Sequence, residues 1–316
     1  MNPRKPVPIE EIRAAQKRLQ GIALRTPLVP VQGSDIYLKL ENLQPVGCFK
    51  IRGAANAMLS VPREELANGV YTASAGNMAQ GVAWVAREFG IPARVVVPDH
   101  APATKLDAIE RLGASVIKVP FDRWWQVIVE HHLEGMEGKF IHPVSDNAVM
   151  AGNGTIGLEI LEDLPDVDAV IVPYGGGGLS CGIASAIKAL KPDTKVFAAE
   201  AETAAPLFAS LAKGKPVEVE YKATFVDGIG GKSVLPEMWG LASTILDGSL
   251  VVSVKEIADA IRFIVERNRV VAEGAGAASV AAAMAGRAGH GKVVCIVSGG
   301  NIDGTKIAKI LAGEVL

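Results

Sequence analysis

Residues 169–184 read AVIVPYGGGGLSCGIA, a short apolar run followed by four glycines and a run of small residues. The apolar run predicts a buried strand, and the small residues predict a helix. Between them lie Gly175, Gly176, Gly177 and Gly178. Consecutive glycines let backbone N–H groups converge on an anion at the positive end of a helix. Because the nucleotide and dinucleotide loop patterns are absent, the segment predicts a cradle for one compact phosphate, or alternatively a tight turn that binds nothing.

The same alternation continues on both sides of this segment. Apolar β-branched runs alternate with helical patterns of about 10 to 15 residues, which is typical of parallel βαβ units. The chain is 49% hydrophobic but only 5% aromatic, with 34 glycines, so small aliphatic residues must build the core of an α/β protein. The clearest predicted strands cover residues 93–97, 115–119, 169–172, 195–198 and 293–297, and the clearest predicted helices cover 79–89, 102–112, 178–190 and 254–268.

Composition and charge exclude several classes of function. The formal net charge of −2 gives no basic surface for nucleic acid or anionic lipid. Cys48, Cys181 and Cys295 are far apart without C-x-x-C spacing, which indicates reduced thiols rather than a zinc site. No apolar run reaches the roughly 18 residues of a membrane span, and residues 1–20 indicate a charged surface helix rather than a signal peptide. We therefore expect a soluble, cytoplasmic protein.

Lys50 lies in the segment GCFKIRGAA, residues 47–55, among small and apolar neighbours. Desolvation in such surroundings would lower the pKa of the amine and keep it nucleophilic toward an aldehyde. The segment therefore predicts a lysine that forms an imine with a carbonyl compound. The alternative is a solvated surface lysine, which is the commoner environment of this residue type.

Two other polar turns follow predicted strands. Residues 74–78 read SAGNM and precede a helix, so their N–H groups and the Asn77 amide could hold a carboxylate and a hydroxyl, or simply cap the helix. Ser298 follows the strand 293–297, at the end of the sheet where ligands of open α/β sheets bind. Glu273 lies in a third turn and could add a carboxylate to the same cavity.

Taken in this order, the motifs resemble those of the serine/threonine dehydratase branch of fold-type II pyridoxal-phosphate (PLP) enzymes, which also contains serine racemase. The resemblance implies a tryptophan synthase β-like α/β fold, with two open twisted sheets flanked by helices. It implies a large PLP-binding domain of residues 1–68 and 146–316, a small mobile domain of residues 69–145, and a homodimer. The matching segments are residues 26–28, 39–42, 47–54, 74–83, 151–159, 175–178, 227–229 and 298–301.

The resemblance also implies roles for individual residues. Lys50 would carry PLP and act as the catalytic base, and the loop of Ser74, Ala75, Gly76, Asn77 and Met78 would bind the substrate carboxylate. The implied cofactor contacts are Lys50, Phe49, Asn77, Gly175, Gly176, Gly177, Gly178, Leu179, Gly228, Glu273 and Ser298.

Several positions depart from the family pattern. Cys48, Met78 and Asn153 stand where relatives commonly have Ser, His and Gln. The first two changes, together with Trp124 and Trp125, predict a more apolar pocket. Ala75 stands where racemases have a second serine that delivers a proton to the opposite face, so racemisation is disfavoured. The family's divalent-cation site uses an acid matching Glu200 and a second acid at the position of Pro206, so we expect no metal.

Trp124 and Trp125 predict an aromatic wall over the substrate, or alternatively simple packing at a domain edge. His131 and His132 indicate a helix surface rather than a metal site, because adjacent helix residues do not face each other. The sequence ends at Leu316 without a further domain, so we expect no feedback inhibition through one.

The sequence thus predicts a PLP-dependent lyase that converts a β-hydroxy L-amino acid, such as threonine, serine or a bulkier analogue, to a 2-oxo acid and ammonia. Two alternatives remain open. One is a β-replacement enzyme of the cysteine synthase type, whose Thr-rich loops match this chain less well. The other is a non-catalytic PLP-binding protein, which would not need Lys50, Ser298 and Glu273 together.

Overall fold

The computed structural model of the chain describes residues 4–316 and contains ten strands in two sheets, flanked by helices. The strands are β1 (Leu28–Pro30), β2 (Ile36–Lys39), β3 (Val70–Ala73), β4 (Ala93–Pro98), β5 (Ser115–Val119), β6 (Lys139–Phe140), β7 (Ala169–Pro173), β8 (Lys195–Ala201), β9 (Gly248–Val252) and β10 (Val293–Ile296). The α-helices are α1 (Ile9–Arg18), α2 (Lys50–Leu59), α3 (Asn77–Glu88), α4 (Ala103–Glu110), α5 (Phe121–Glu130), α6 (Asn147–Asp163), α7 (Gly178–Leu190), α8 (Pro206–Lys213), α9 (Pro236–Ile245), α10 (Val254–Asn268), α11 (Gly274–Met284) and α12 (Gly304–Leu311).

The larger sheet has the strand order β1-β2-β10-β7-β8-β9, and the smaller sheet has the order β5-β4-β3-β6. All neighbouring strands are parallel except β1, which is antiparallel to β2. The α/β class predicted from alternating patterns is confirmed. Central strands such as β7 and β10 are buried along their whole length, as expected for a sheet covered on both faces. The edge strand β5 differs, because two of its five residues are exposed.

The predicted bounds of β5, α7 and α10 agree with the structure, whereas the bounds of the other predicted elements differ at one or both ends. Helix α3 begins at Asn77 rather than at residue 79, and α11 begins at Gly274, directly after Glu273. The first turn of α11 packs closely on the loop that follows β10, because a Cβ at Gly276 would lie 2.4 Å from the backbone oxygen of Gly299. A pattern of apolar residues does not reveal such a contact.

Helix α2 lies between the two sheets and begins at Lys50. A Cβ at Gly53 would lie 2.7 Å from Cγ1 of Val149 on α6, and a Cβ at Gly81 on α3 would lie 3.3 Å from Cβ of Lys50. These small residues let α3 and α6 approach α2 from two sides, which places Lys50 where the sheets meet.

A buried group of four charges fixes α2 to the larger sheet. Arg52 donates from Nη1 to Glu159 over 2.6 Å and from Nε to Glu41 over 2.8 Å. Lys39 donates to the other oxygen of Glu159 over 2.6 Å. All four side chains are at most 6% exposed, and their charges sum to zero. Removing one member would leave a buried charge without its partner, which is strongly destabilising.

The predicted surface helix at the N-terminus is α1, which buries Ile12 and Ala15 on one face. A Cβ at Gly154 of α6 would lie 3.0 Å from Cδ1 of Ile12, so α1 packs closely on α6. Among residues 4–316, no helix is long and apolar enough to cross a membrane.

Candidate active site

A cavity of about 500 Å³ opens at the carboxyl ends of strands from both sheets. Every residue for which the sequence predicted a contact with the cofactor or the substrate carboxylate lines it. These residues are Phe49, Lys50, Ser74, Ala75, Gly76, Asn77, Met78, Gly175, Gly176, Gly177, Gly178, Leu179, Gly228, Glu273 and Ser298. Ligands of parallel α/β sheets bind at this end of the strands, so the position of the cavity agrees with its expected use.

Lys50 is held at the cavity by the loop that precedes it. The N–H of Phe49 donates to the oxygen of Ser298 over 3.0 Å, and the N–H of Gly300 donates to the oxygen of Gly47 over 2.9 Å. Nζ of Lys50 donates to the oxygen of Pro143 over 2.9 Å. Burial lowers the pKa of Lys50 to about 8, which leaves a substantial fraction of the amine unprotonated and nucleophilic near neutral pH.

The tetraglycine loop, Gly175 to Gly178, has no room for side chains at two of its positions. A Cβ at Gly176 would lie 2.6 Å from Cγ2 of Val144, and one at Gly178 would lie 2.4 Å from the oxygen of Val144. Gly177 has a φ of 96°, a left-handed conformation that favours glycine. Within residues 4–316, the N–H groups of Gly175 to Leu179 donate to no protein acceptor. This donor set at the N-terminus of α7 suits a phosphate.

The loop of residues 74–78 connects β3 to α3 and faces the same cavity. Ser74 accepts the N–H of Gly76 through Oγ over 3.2 Å, which shapes the turn. Met78 is only 2% exposed and packs in the core around α2 and α3, so little of it reaches the cavity. Cys48 is fully buried and does not line the cavity, and burial raises the pKa of its thiol to about 12.

These two placements correct part of the predicted apolar pocket. Cys48 contributes nothing to the cavity surface, and Met78 contributes little, because both side chains point into the core. The apolar side of the cavity comes instead from Trp124, together with Pro98, Phe121 and Tyr221, which the sequence did not indicate.

The prediction that Trp124 and Trp125 form one wall is wrong for Trp125. Trp125 is 41% exposed and does not line the cavity. Successive side chains on a helix point about 100° apart, so only one of two neighbours on α5 can face the site.

An ion pair also lies at the cavity, where Lys105 of α4 donates to Asp227 over 2.9 Å.

Glu273 and Asn77 connect the two sides of the cavity. Nδ2 of Asn77 donates to Oε1 of Glu273, and Oδ1 of Asn77 accepts from Nδ2 of Asn301, both over 2.9 Å. Burial raises the pKa of Glu273 to about 7, and the bond from Asn77 opposes this shift. Ser298 is 3% exposed and lines the cavity beside these residues.

The residues present do not fit the family's divalent-cation site. Glu200 is fully buried, and its two oxygens accept the N–H groups of Leu207 and Phe208 over 2.9 and 2.8 Å and the hydroxyl of Ser249 over 2.5 Å. Pro206, the first residue of α8, supplies no second acid. The carboxylate therefore binds the N-terminus of a helix in place of a cation.

A different acid and two histidines do come close together. His131 follows α5 with a φ of 59°, and its ligand atoms lie within 4.8 Å of those of His142 and Glu237. The predicted position of His131 on a helix surface is wrong, because α5 ends at Glu130 and the left-handed His131 turns its ring toward Glu237, 3.3 Å away.

A glycine loop whose N–H groups suit a phosphate and a buried lysine of lowered pKa share one cavity between the two sheets. This combination defines an enzyme that binds a phosphorylated aldehyde through an amine, which is the chemistry of PLP. A sequence profile described as pyridoxal-phosphate dependent enzyme matches residues 19–299, and the chain belongs to this family.

Individual relatives are similar over almost the whole chain. An L-threonine ammonia-lyase of Thermotoga maritima is 45% identical, over 96% of this chain and 78% of that protein. A catabolic L-threonine dehydratase of Escherichia coli is 38% identical, over 96% of both chains. Among solved structures, maize serine racemase superposes with a TM-score of 0.89 at 32% identity, covering 98% of both chains. These similarities confirm the predicted family, fold and cofactor.

Proposed function

We propose that the protein is a PLP-dependent ammonia-lyase that converts a β-hydroxy L-amino acid to a 2-oxo acid and ammonia. The observation that carries the proposal is that Lys50, the tetraglycine loop and Ser298 line one cavity. The names of the Thermotoga and Escherichia relatives support elimination from threonine as the reaction type.

The cavity offers a contact for each part of PLP. Lys50 would hold the aldehyde carbon, and the N–H groups of Gly175 to Leu179 would hold the phosphate. Asn77 and Ser298 would contact the ring oxygen and ring nitrogen, with Phe49, Gly228 and Glu273 around the ring. Gly228 lets this part of the cavity wall pack closely, because a Cβ there would lie 2.8 Å from Cβ of Ala275.

Bound PLP supplies an electron sink for the negative charge that develops at the substrate Cα. Lys50 would be the base that removes the Cα proton of the substrate. The N–H groups of Ser74 and Gly76 already donate within the protein, so those of Ala75, Asn77 and Met78 would hold the substrate carboxylate at the start of α3. Ser298 would offer a neutral hydroxyl to the ring nitrogen without forcing its protonation, which would favour elimination of the β-hydroxyl.

Ala75 favours elimination over racemisation, although a serine racemase is among the similar structures. Racemisation needs a proton donor on the face opposite Lys50, and an alanine methyl group cannot supply one. β-Replacement would need a second substrate to enter after the hydroxyl leaves.

Three broader expectations belong to this proposal. Residues 69–145 would form a small mobile domain that closes over the substrate against a large domain of residues 1–68 and 146–316. Closure would exclude water from the reacting groups. The active form would be a homodimer, which light scattering of the purified protein can test. The protein would be located in the cytoplasm.

The test is a panel of β-hydroxy amino acids, with detection of 2-oxo acid and ammonia in equal amounts. We expect turnover of at least one member by the wild-type protein and none by Lys50→Ala, which should also lose the visible absorption of bound PLP. A Lys306→Ala variant, which changes an exposed lysine on α12, is the control. Absence of 2-oxo acid from every substrate, with PLP bound normally, would favour a non-catalytic PLP-binding protein.

A further inference from the structure

The turn from His142 to Ser145 contacts both halves of the proposed cofactor site. The oxygen of Pro143 accepts the Nζ of Lys50 over 2.9 Å. The next residue, Val144, packs against the tetraglycine loop, where its side chain and oxygen leave no room for a Cβ at Gly176 or Gly178. A shift of this turn would therefore move the lysine contact and the phosphate loop together.

His142 holds this turn from inside the protein. Nδ1 of its imidazole accepts the N–H of Val144 over 3.0 Å and the N–H of Ser145 over 2.8 Å. Nε2 lies 3.1 Å from the oxygen of Ile128 at the end of α5. Two N–H donors at Nδ1 require a lone pair there, so the proton is on Nε2 and is donated to Ile128.

The imidazole stays neutral, as this bonding pattern requires. His142 is 2% exposed, and burial, together with the neighbouring His131, lowers its pKa to about 3. Ser145 is fully buried, so its N–H has no access to water if Nδ1 is removed. Leaving a buried N–H without an acceptor costs folding free energy, and displacement of the turn would relieve that cost.

The same pattern argues against a metal at His131, His142 and Glu237, although their ligand atoms lie within 4.8 Å of one another. A metal bound at Nε2 of His142 would move the proton to Nδ1, where it would face the N–H groups of Val144 and Ser145. The donors that fix the turn therefore exclude His142 as a ligand.

We propose that His142 is a positioning residue, whose neutral Nδ1 fixes the turn that holds Lys50 and supports the phosphate loop. The inference rests on the proposed placement of PLP. It assigns His142 no contact with substrate or cofactor. Its effect is on how tightly the chain binds PLP and on the environment of the Lys50 amine.

Three substitutions at His142 test the contributions of the two ring nitrogens separately. His142→Asn places an oxygen near the position of Nδ1 and keeps an acceptor for the two N–H groups. His142→Gln reaches toward Ile128 but leaves no acceptor at the Nδ1 position, and His142→Ala removes both. His290→Ala, which changes an exposed histidine, is the matched control.

PLP is titrated into the apo form of each variant, and its Kd is measured from the visible absorption band. We expect Kd to rise about tenfold in His142→Gln and His142→Ala, equal to about 1.4 kcal/mol, and by less than about threefold in His142→Asn. The pH midpoint for PLP incorporation, which reports the Lys50 amine, should shift in the Gln and Ala variants alone. The Asn and Gln pair decides the question if His142→Ala does not fold.

Equal weakening of PLP binding in the Asn and Gln variants would overturn the proposal, because loss of packing alone would then explain the higher Kd. An unchanged Kd and midpoint in the Gln variant would overturn it as well. Failure of the proposed function is distinguishable, since it would show as a wild-type protein without PLP binding or lyase activity, or as a Lys50→Ala variant that keeps both.

Discussion

Asn77 donates a hydrogen bond to Glu273 over 2.9 Å, although the two residues lie 196 positions apart in the chain. The bond joins the first residue of α3, which follows the smaller sheet, to the residue that precedes α11 on the larger one. It also fixes the Asn77 amide, since Nδ2 donates to an acid and Oδ1 accepts from Asn301. The buried carboxyl of Glu273 therefore influences both the stability of the protein and the shape of the site.

Glu273 should make the apo protein less stable as the pH rises. Its pKa is about 7 in the folded protein, above the ordinary value of 4.5, so the folded state binds the proton more tightly than the unfolded state. The cost of ionising it develops between about pH 4.5 and pH 7 and is complete above that range. Glu273→Gln keeps an acceptor for Asn77 and removes this cost. We expect the Tm of the variant to equal that of the wild type near pH 4.5 and to exceed it by a few degrees at pH 8. The corresponding difference in the free energy of unfolding is roughly 1–3 kcal/mol.

Differential scanning fluorimetry of both apo proteins from pH 4.5 to 8.5 measures this difference. Glu314→Gln, which changes an exposed acid near the C-terminus, is the control and should show no pH-dependent difference. A constant offset between Glu273→Gln and the wild type at every pH would show that packing, and not ionisation, explains the effect.

The rate of PLP incorporation should follow the ionisation of Lys50. With a pKa of about 8 instead of 10.5, about a tenth of the amine is unprotonated at pH 7, against less than about a thousandth at the ordinary value. Because the unprotonated amine is the nucleophile, the rate should rise with pH and level off above about pH 8. Stopped-flow absorbance of apo protein mixed with PLP between pH 6 and 10 tests this. A rate that still rises tenfold between pH 9 and 10 would place the pKa near its ordinary value.

Ala75 should restrict the enzyme to elimination. Lys50 is the only proton-transfer group that the proposal places at Cα, and the methyl group of Ala75 cannot return a proton from the other side. We expect no D-amino acid from an L-substrate by chiral chromatography while 2-oxo acid accumulates. In Ala75→Ser, the rate of D-amino acid formation should rise to at least about ten times the detection limit. Ala75→Gly, which adds no hydroxyl, should form no detectable D-amino acid. Racemisation by the wild type at a rate comparable to elimination would contradict this prediction.

Activity should not depend on a divalent cation bound at Glu200. Both oxygens of this carboxylate accept N–H groups from the start of α8, and Pro206 provides no second ligand. Prolonged EDTA treatment should therefore change kcat/KM by less than about twofold. Glu200→Gln should lower stability by about 1–2 kcal/mol, as loss of a helix cap does, because one N–H loses its acceptor. A large loss of activity in EDTA that magnesium or calcium restores would refute this.

Trp124 should provide the apolar contact that lets the site accept an aryl β-substituent. It lines the cavity together with Phe121, and we expect β-hydroxy amino acids with larger or aryl substituents to be turned over with a kcat/KM at least comparable to that of serine. Trp124→Ala should lower kcat/KM for the aryl substrate by about tenfold or more while changing that for serine less, because apolar contacts contribute about 1–3 kcal/mol. Trp125→Ala, a matched change outside the cavity, should have no such effect.

Met78→His should move preference toward serine and threonine if the small part of Met78 that faces the cavity meets the substrate. Because Met78 is only 2% exposed, we expect a shift of at most about threefold in the ratio of kcat/KM values. A wild type that prefers serine strongly, with no change in Met78→His, would show that these substitutions do not set specificity.

The sequence by itself determined the α/β class, most central strands and the two central motifs of the site. These features are local: a buried parallel strand needs a run of β-branched residues, and a phosphate loop at a helix start needs glycines within a few positions. Residues 169–184 contain both, and Lys50 stands among apolar neighbours in its own segment. The resemblance of the ordered motifs then added the family and the cofactor.

Only the tertiary structure decided which side chains meet across the cavity. Asn77 and Glu273, Lys105 and Asp227, and Val144 and the tetraglycine loop are far apart in the chain, and only the packing of the two sheets brings them together. No local pattern distinguishes Trp124 from Trp125, because the rotation of α5 about its axis decides which of them faces the cavity. The role proposed for His142 depends on two backbone N–H groups that converge on one ring nitrogen, and backbone direction is set by the fold and not by residue type.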